Sequence, residues 1–418
     1  MSERKTATGT DPAQIEALVA PGEVEELARR LVTIPSYGPD HGWESGVASA
    51  LEAALAAEGI PVRRQVVTGD RANLIAALPG DEHGPPLLML NGHMDTVPPS
   101  SAMRRPPFAA EIADGRLWGR GAADMKGGLA AMVMALIALH RARVRPPRPI
   151  MLAAVVMEEM GNSGTFALAR EMAGAGTPAS FAIVGEPTGL DLVTAHKGVD
   201  RYRITVFGRA AHAAAPERGV NAIVRASRLI AALDEDLARV VSVQMHPLLG
   251  QPSYNIGTII GGVSRNTVPD RCMFQIEKRY LPGDSSELIR AELEAIVERT
   301  LGPGGAEIVR EDDFDRITHP PLDIAGEHPG VRALSAAVAE VTGRPPALIG
   351  WPAFTDAAVL QVHGTPAVIC GPGSLDAAHA ADESISTEEI NAAFRVYVRA
   401  ALRICAHAGS CLPQASPV

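Results

Sequence analysis

No run of apolar residues in this 418-residue chain approaches the ~20 needed to span a bilayer. The longest, Leu129–Leu139, reads as a buried helix, and no membrane partner is expected. Long basic runs are also missing, and the net charge is −10, so a nucleic-acid partner is not expected either. The cysteines Cys272, Cys370, Cys405 and Cys411 are dispersed. They follow no metal-finger or redox spacing, which leaves buried free thiols in a reducing compartment. The start, Met1-Ser2-Glu3-Arg4-Lys5-Thr6-Ala7, has none of the apolar core of a secretory signal, and the expected location is the cytoplasm. Internal repeats and low-complexity tracts are absent. The nucleophile-elbow pattern G-x-S-x-G is absent as well, which argues against a serine nucleophile.

What is present is length, periodicity and a scattered set of metal-ligand residue types. A chain of 418 residues is too long for one simple core, so two domains are the natural expectation. In the first half, helical spacing over Val24–Thr33 and Trp43–Glu58 alternates with short apolar runs. Those runs are Asn73–Leu78, Leu87–Asn91, Ile150–Met157 and Phe181–Gly185, and they read as buried strands. Such alternation predicts an α/β layer with a mostly parallel mixed sheet between helices. After Lys197-Gly198 the texture changes. Half-exposed strands are expected over 201–208, 253–260, 271–280 and 307–310, with helices over Asn221–Leu237 and Ser285–Thr300. This describes a small α+β sandwich inserted at 198–311 between the two parts of a larger domain, 1–197 and 312–418. The α/β texture then returns with a helix over Val331–Val341, a strand over Pro366–Cys370 and a final helix over Thr387–Arg403.

Ligand-binding residues in open α/β sheets gather beyond the carboxyl ends of strands. His93 and Asp95 follow the strand ending near Asn91, Glu158-Glu159 follow Ile150–Met157, and Glu186 follows Phe181–Gly185. His379 comes shortly after Pro366–Cys370. Any one of these alone is an ordinary solvated residue, but four strand ends delivering ligand types together are not. Two imidazoles with several carboxylates is the mixture a catalytic zinc site uses, although Co²⁺ and Mn²⁺ accept the same donors. The set reads as a two-metal hydrolase centre.

Glu158 and Glu159 are adjacent carboxylates beside an apolar strand, a costly pair unless cations or protons compensate. Side chains diverge at a strand end, so one can bind metal while the other serves as general base. The bland alternative is a solvated acidic turn. Asp124 lies between glycines 119 and 121 and the apolar helix. It suits a helix N-cap or a metal ligand, and the two readings are compatible. Asp95, two residues from His93, reads as the acceptor that orients the imidazole.

With these residues in place, the chain resembles the co-catalytic zinc aminoacylase/carboxypeptidase family, which includes acetylornithine deacetylase and succinyl-diaminopimelate desuccinylase. The resemblance rests on G-H-M-D-T-V-P-P at 92–99, G-R-G-A-A-D-M-K-G-G at 119–128, M-E-E at 157–159, G-E-P-T at 185–188 and A-H-A-A-D-E at 378–383. It implies that His93 and Glu186 bind one Zn²⁺, that Glu159 and His379 bind a second, and that Asp124 bridges them. It implies Glu158 as general base. It also implies that 198–311 is a lid through which a homodimer forms, with His212 stabilising an oxyanion in its own or its partner's site. Asn266 and Arg279 match lid positions that contact a substrate carboxylate, a group that suits the planar guanidinium fork. The expected activity is hydrolysis of an amide C–N bond in a small carboxylate-bearing substrate, such as an N-acyl amino acid or a peptide. The alternatives are another C–N bond (a carbamoyl group or an aryl amine) and a metal-binding protein without catalysis.

Overall fold

The apolar stretch after Asp124 forms a helix, α3 (Gly127–Arg141), in which every residue from Gly127 to Leu139 is buried. Counted from Ala122, the helical segment is long and apolar enough to cross a membrane by length and composition, yet it is buried inside the molecule. An all-round apolar helix belongs in a core, and this one packs against α1 (Glu23–Val32) and α7 (Thr387–Ala406). The computed structural model describes residues 11–311 and 319–407.

The chain divides into two compact units. The first holds the described parts of Met1–Thr194, Ile324–Ile349 and Thr355–Val418, and the second holds those of Ala195–Asp323 and Gly350–Phe354. In the first unit, strands β1 (Val62–Thr68), β2 (Arg71–Leu78), β3 (Leu88–His93), β4 (Ile150–Val155), β5 (Ala182–Val184) and β6 (Ala367–Ile369) run in the order β1-β2-β4-β3-β5-β6, and Leu192–His196 follows β6. The four central strands β4-β3-β5-β6 are parallel, while β1-β2, β2-β4 and the pairing of β6 with Leu192–His196 are antiparallel. The largely parallel sheet expected from the apolar runs is therefore the centre of the sheet, and its flanks are antiparallel. β1, unassigned in the sequence reading, is a partly exposed edge strand of mixed polarity and lacks the apolar run that marked the others.

Register sets up the site. Asn91 pairs with Ala153 on one side and Val184 on the other, and Val184 pairs with Ile369. The carboxyl ends of four neighbouring parallel strands therefore lie level, so the segments leaving them emerge on one rim.

The second unit is a four-stranded antiparallel sheet in the order Ser253–Gly261, Arg271–Tyr280, Gly198–Phe207, Ala306–Arg310. Helices Ala222–Val243 and Ser286–Leu301 bury Leu229, Leu233, Leu293 and Ile296 in one cluster with Ile204 and Phe274 of the strands. The described cysteines Cys272, Cys370 and Cys405 are free and buried, and Cys411 lies outside the described residues, as does 312–318.

Candidate metal centre

Asp124 presents one carboxylate oxygen to each of two histidines. Oδ1 lies 2.9 Å from His93 Nε2, and Oδ2 lies 3.2 Å from His379 Nε2. Around this axis two donor clusters form, His93–Asp124–Glu186 and Asp124–Glu159–His379, each with its ligand atoms within 4.8 Å of one another. Glu186 Oε1 approaches His93 Nε2 at 3.7 Å, and Glu159 Oε1 lies 3.1 Å from His379 Nε2. All five residues sit in the first unit. His93 is the last residue of β3, Glu159 and Glu186 follow β4 and β5, and His379 follows β6 at a positive φ of 60°. Asp124 precedes α3, joined to Met125 by a cis peptide.

The donors fit a pair of divalent ions. The set is two imidazoles and three carboxylates, the mixed nitrogen–oxygen chemistry of such sites. Glu186 Oε1 is buried without a hydrogen-bond partner. A buried carboxylate oxygen left so is costly unless a cation completes it. His93 Nδ1 lies 2.9 Å from the backbone oxygen of Asp95 and so carries a hydrogen, which turns Nε2 toward the cluster.

The electrostatics agree. Burial disfavours protonation of His93, yet the Glu186 and Asp124 carboxylates outweigh it and hold its pKa well above the usual value. Hydrogen bonds that His379 donates to Asp124 and Glu159 push its pKa up to about 10. Burial and then the Asp124 charge raise Glu186 well above the carboxylate range. For Asp124 burial acts upward, but its bonds to His379 and His93 win and lower it. A metal arriving at either Nε2 therefore displaces a proton. Metal binding must release protons and weaken as pH falls.

Three buried carboxylates aimed elsewhere hold the loops that carry these donors. Asp95 was expected to orient His93 with its side chain, but its Oδ1 lies 3.7 Å from His93 Nδ1 and the nearer partner is its own backbone carbonyl. The Asp95 carboxylate instead accepts the backbone N–H groups of Glu158 and Glu159, both at 3.1 Å. Glu44 pairs with buried Arg71, which lies 4.0 Å over the Trp43 ring, and accepts the N–H of Met157 at 3.2 Å. Glu383 accepts from Arg120 at 2.6 Å and from the backbone N–H groups of Gly121, Ala123 and Asp124 at 3.0, 2.9 and 3.1 Å. Four donors on one carboxylate, with Glu383 four residues after His379, tie the Asp124 loop to the His379 segment. The sequence motif contained Glu383, but its acceptor role depends on backbone that no spacing reveals.

Glu158 lies beside Glu159 in the first unit, and the remaining expected residues, His212, Asn266 and Arg279, lie in the second. His212, exposed, pairs with Thr267 in a two-residue ladder, and its Nδ1 accepts from the Ala214 N–H at 3.0 Å. Asn266 is the neighbour of Thr267, and its Oδ1 accepts from Ser264 Oγ at 2.6 Å, so these two candidates share one corner of the unit. Arg279 stands apart on Arg271–Tyr280, with its Nε on Glu277 and a terminal nitrogen on the Pro352 carbonyl, each at 3.0 Å. That guanidinium anchors the 350–354 segment to its own unit.

Known proteins resemble this chain over most of its length. Acetylornithine deacetylase of Myxococcus xanthus is 32% identical over 365 residues, covering 85% of this chain and 90% of that protein. A probable carboxypeptidase of Aspergillus clavatus is 30% identical over 414 residues, covering 95% of this chain and 86% of that protein. The crystal structure of aminopeptidase PepT from Bacillus cereus superimposes with a TM-score of 0.74 at 26% identity, over 93% of this chain and 99% of that one. The stretch from residue 89 to 403, which runs from β3 through every cluster donor and into α7, matches peptidase family M20/M25/M40, and the chain belongs to that family.

Proposed function

We propose that this protein is a two-metal hydrolase of an amide C–N bond in a small carboxylate-bearing substrate, an N-acyl amino acid or a short peptide. The observation that carries the reading is Asp124, with one oxygen toward each of two imidazole-containing clusters. In this reading His93 and Glu186 hold one ion, Glu159 and His379 the other, and Asp124 both. Zinc is the proposed native metal, in keeping with the two-imidazole donor set. When bound, such a pair polarises a carbonyl and acidifies water.

Glu158 adjoins the ligand Glu159 and belongs to neither cluster. As general base it takes a proton from the attacking water and passes it to the leaving nitrogen, so the C–N bond breaks to a carboxylate and a free amine. The Asp95 carboxylate fixes the backbone from which Glu158 projects. His212 serves as a donor to the oxyanion. A panel of N-acetyl, N-succinyl and carbamoyl amino acids, dipeptides and aryl amines tests the reading. Turnover of an N-acyl amino acid or a dipeptide is expected, and turnover of aryl amines alone would overturn it.

The second unit is proposed as a lid and dimerisation domain. Its strand Ser253–Gly261 is a sheet edge, and Ile259, Ile260 and the nearby Val263 are 54%, 65% and 95% exposed. Ile223, which approaches Gly261, is exposed as well. An open edge carrying apolar side chains is a template for pairing with a second copy. Ile260→Lys is expected to convert a dimer to a monomer in sedimentation. A wild-type monomer, or a variant that stays dimeric, would remove this assignment.

A further inference from the structure

Glu158 is not alone in its pocket. Asn162, 2% exposed, sends its side-chain Nδ2 to Glu158 Oε1 at 3.1 Å and to Asp356 Oδ1 at 2.9 Å. Asp356 is 1% exposed and opens α6 (Asp356–Val362), a helix capped by the Thr355 hydroxyl. One amide nitrogen carries two hydrogens, so it can serve both carboxylates at once.

The backbone of Asn162 is fixed independently. It takes φ 62°, the left-handed region that asparagine tolerates better than most residues. Its N–H donates to the Met157 carbonyl at 2.7 Å, and its own carbonyl accepts from the Phe166 N–H at 3.0 Å, at the start of α4 (Ser163–Gly174). The amide therefore projects from a rigid turn that begins at the residue before Glu158.

We propose that Asn162, locked by Asp356, is the positioning residue of the base: it holds Glu158 Oε1 and leaves the second oxygen to receive the proton. The inference rests on the reading of Glu158 as general base. A carboxylate free to rotate would present its oxygens in several orientations. A donor on one oxygen selects a single orientation, and positioning at this level is worth up to about a hundredfold in rate. Asp356 keeps the amide from turning away, since it occupies the second hydrogen of the same nitrogen. Buried Asp356 and Glu158 would otherwise repel each other, and the amide between them offsets part of that cost.

Asn162→Gly keeps the left-handed turn and removes only the amide. Its kcat is expected to fall about ten- to a hundredfold with KM within about twofold, with metal content at the wild-type value and a melting temperature lowered by the acceptors left without a donor. Asp356→Asn retains an acceptor for the amide. It is therefore expected to keep at least about fivefold more kcat than Asp356→Ala. Unchanged kcat in Asn162→Gly would overturn the inference. So would loss of metal in parallel with kcat, or equal damage from Asp356→Asn and Asp356→Ala, which would indicate charge in place of position. Glu158→Ala separates the two levels. If that variant stays active, the reading of Glu158 fails; if it is inactive while Asn162→Gly is unaffected, only this inference fails.

Discussion

Glu158→Ala is expected to lose about 10²- to 10⁴-fold in kcat, the usual contribution of a general base, while retaining two divalent ions per chain. Glu158 belongs to neither donor cluster, so its removal leaves every proposed ligand in place. The backbone around it is held by Asp95 and Glu44, which do not depend on the Glu158 side chain. KM should change little, because the lost interaction acts on the proton in the transition state and not on substrate binding. Retention of substantial activity with full metal content would show that another group takes the proton. Loss of metal together with activity would make Glu158 a ligand.

Asp124→Ala should have the larger effect, because Asp124 is the one donor common to both clusters. Its removal leaves His93 and Glu186 on one side and Glu159 and His379 on the other with no shared carboxylate. Metal content is expected to fall from two ions to one or none, with activity falling below detection. Stability gives an independent readout. Metal at a thousandfold excess over its Kd stabilises a fold by about 4 kcal/mol. At about 2–4 °C per kcal/mol for larger domains, that raises the melting temperature by roughly 10 °C. The wild type should show this rise on metal addition to chelator-treated protein, and Asp124→Ala should not. Because His93 and His379 are held protonated in the metal-free protein, the wild-type titration should also release protons. An equal metal-dependent rise in both proteins would exclude Asp124 as a shared ligand.

Much of this site could be read before any fold was known, for a specific reason. His93 ends a strand, Glu159, Glu186 and His379 each follow one, and parallel strands deliver their carboxyl ends to one rim. The apolar runs of β3, β4, β5 and β6 marked those ends well because central strands are buried on both faces. The partly exposed edge strand β1 carried no such mark.

The supporting shell was invisible for the opposite reason. Arg120 and Glu383 lie 263 positions apart, Asn162 and Asp356 194, and Glu44 and Met157 113. The Glu44 contact runs to a backbone N–H and the Asn162 contact leaves a left-handed turn, neither of which residue types signal. Asp95 shows the difference within one residue. Its closeness in sequence to His93 suggested one partner, which its carboxylate approaches at 3.7 Å, and the fold adds two backbone amides at 3.1 Å. Arg279 was expected to face a substrate carboxylate, and within its own unit it already holds Glu277 and the Pro352 carbonyl.

The most direct test of the account is a metal count on chelator-treated protein titrated with Zn²⁺, followed by elemental analysis and amide hydrolysis. The account predicts two ions bound per wild-type chain, activity appearing as the sites fill, and two ions with little activity in Glu158→Ala. Saturation at one ion or none, or full hydrolysis by metal-free protein, would contradict it.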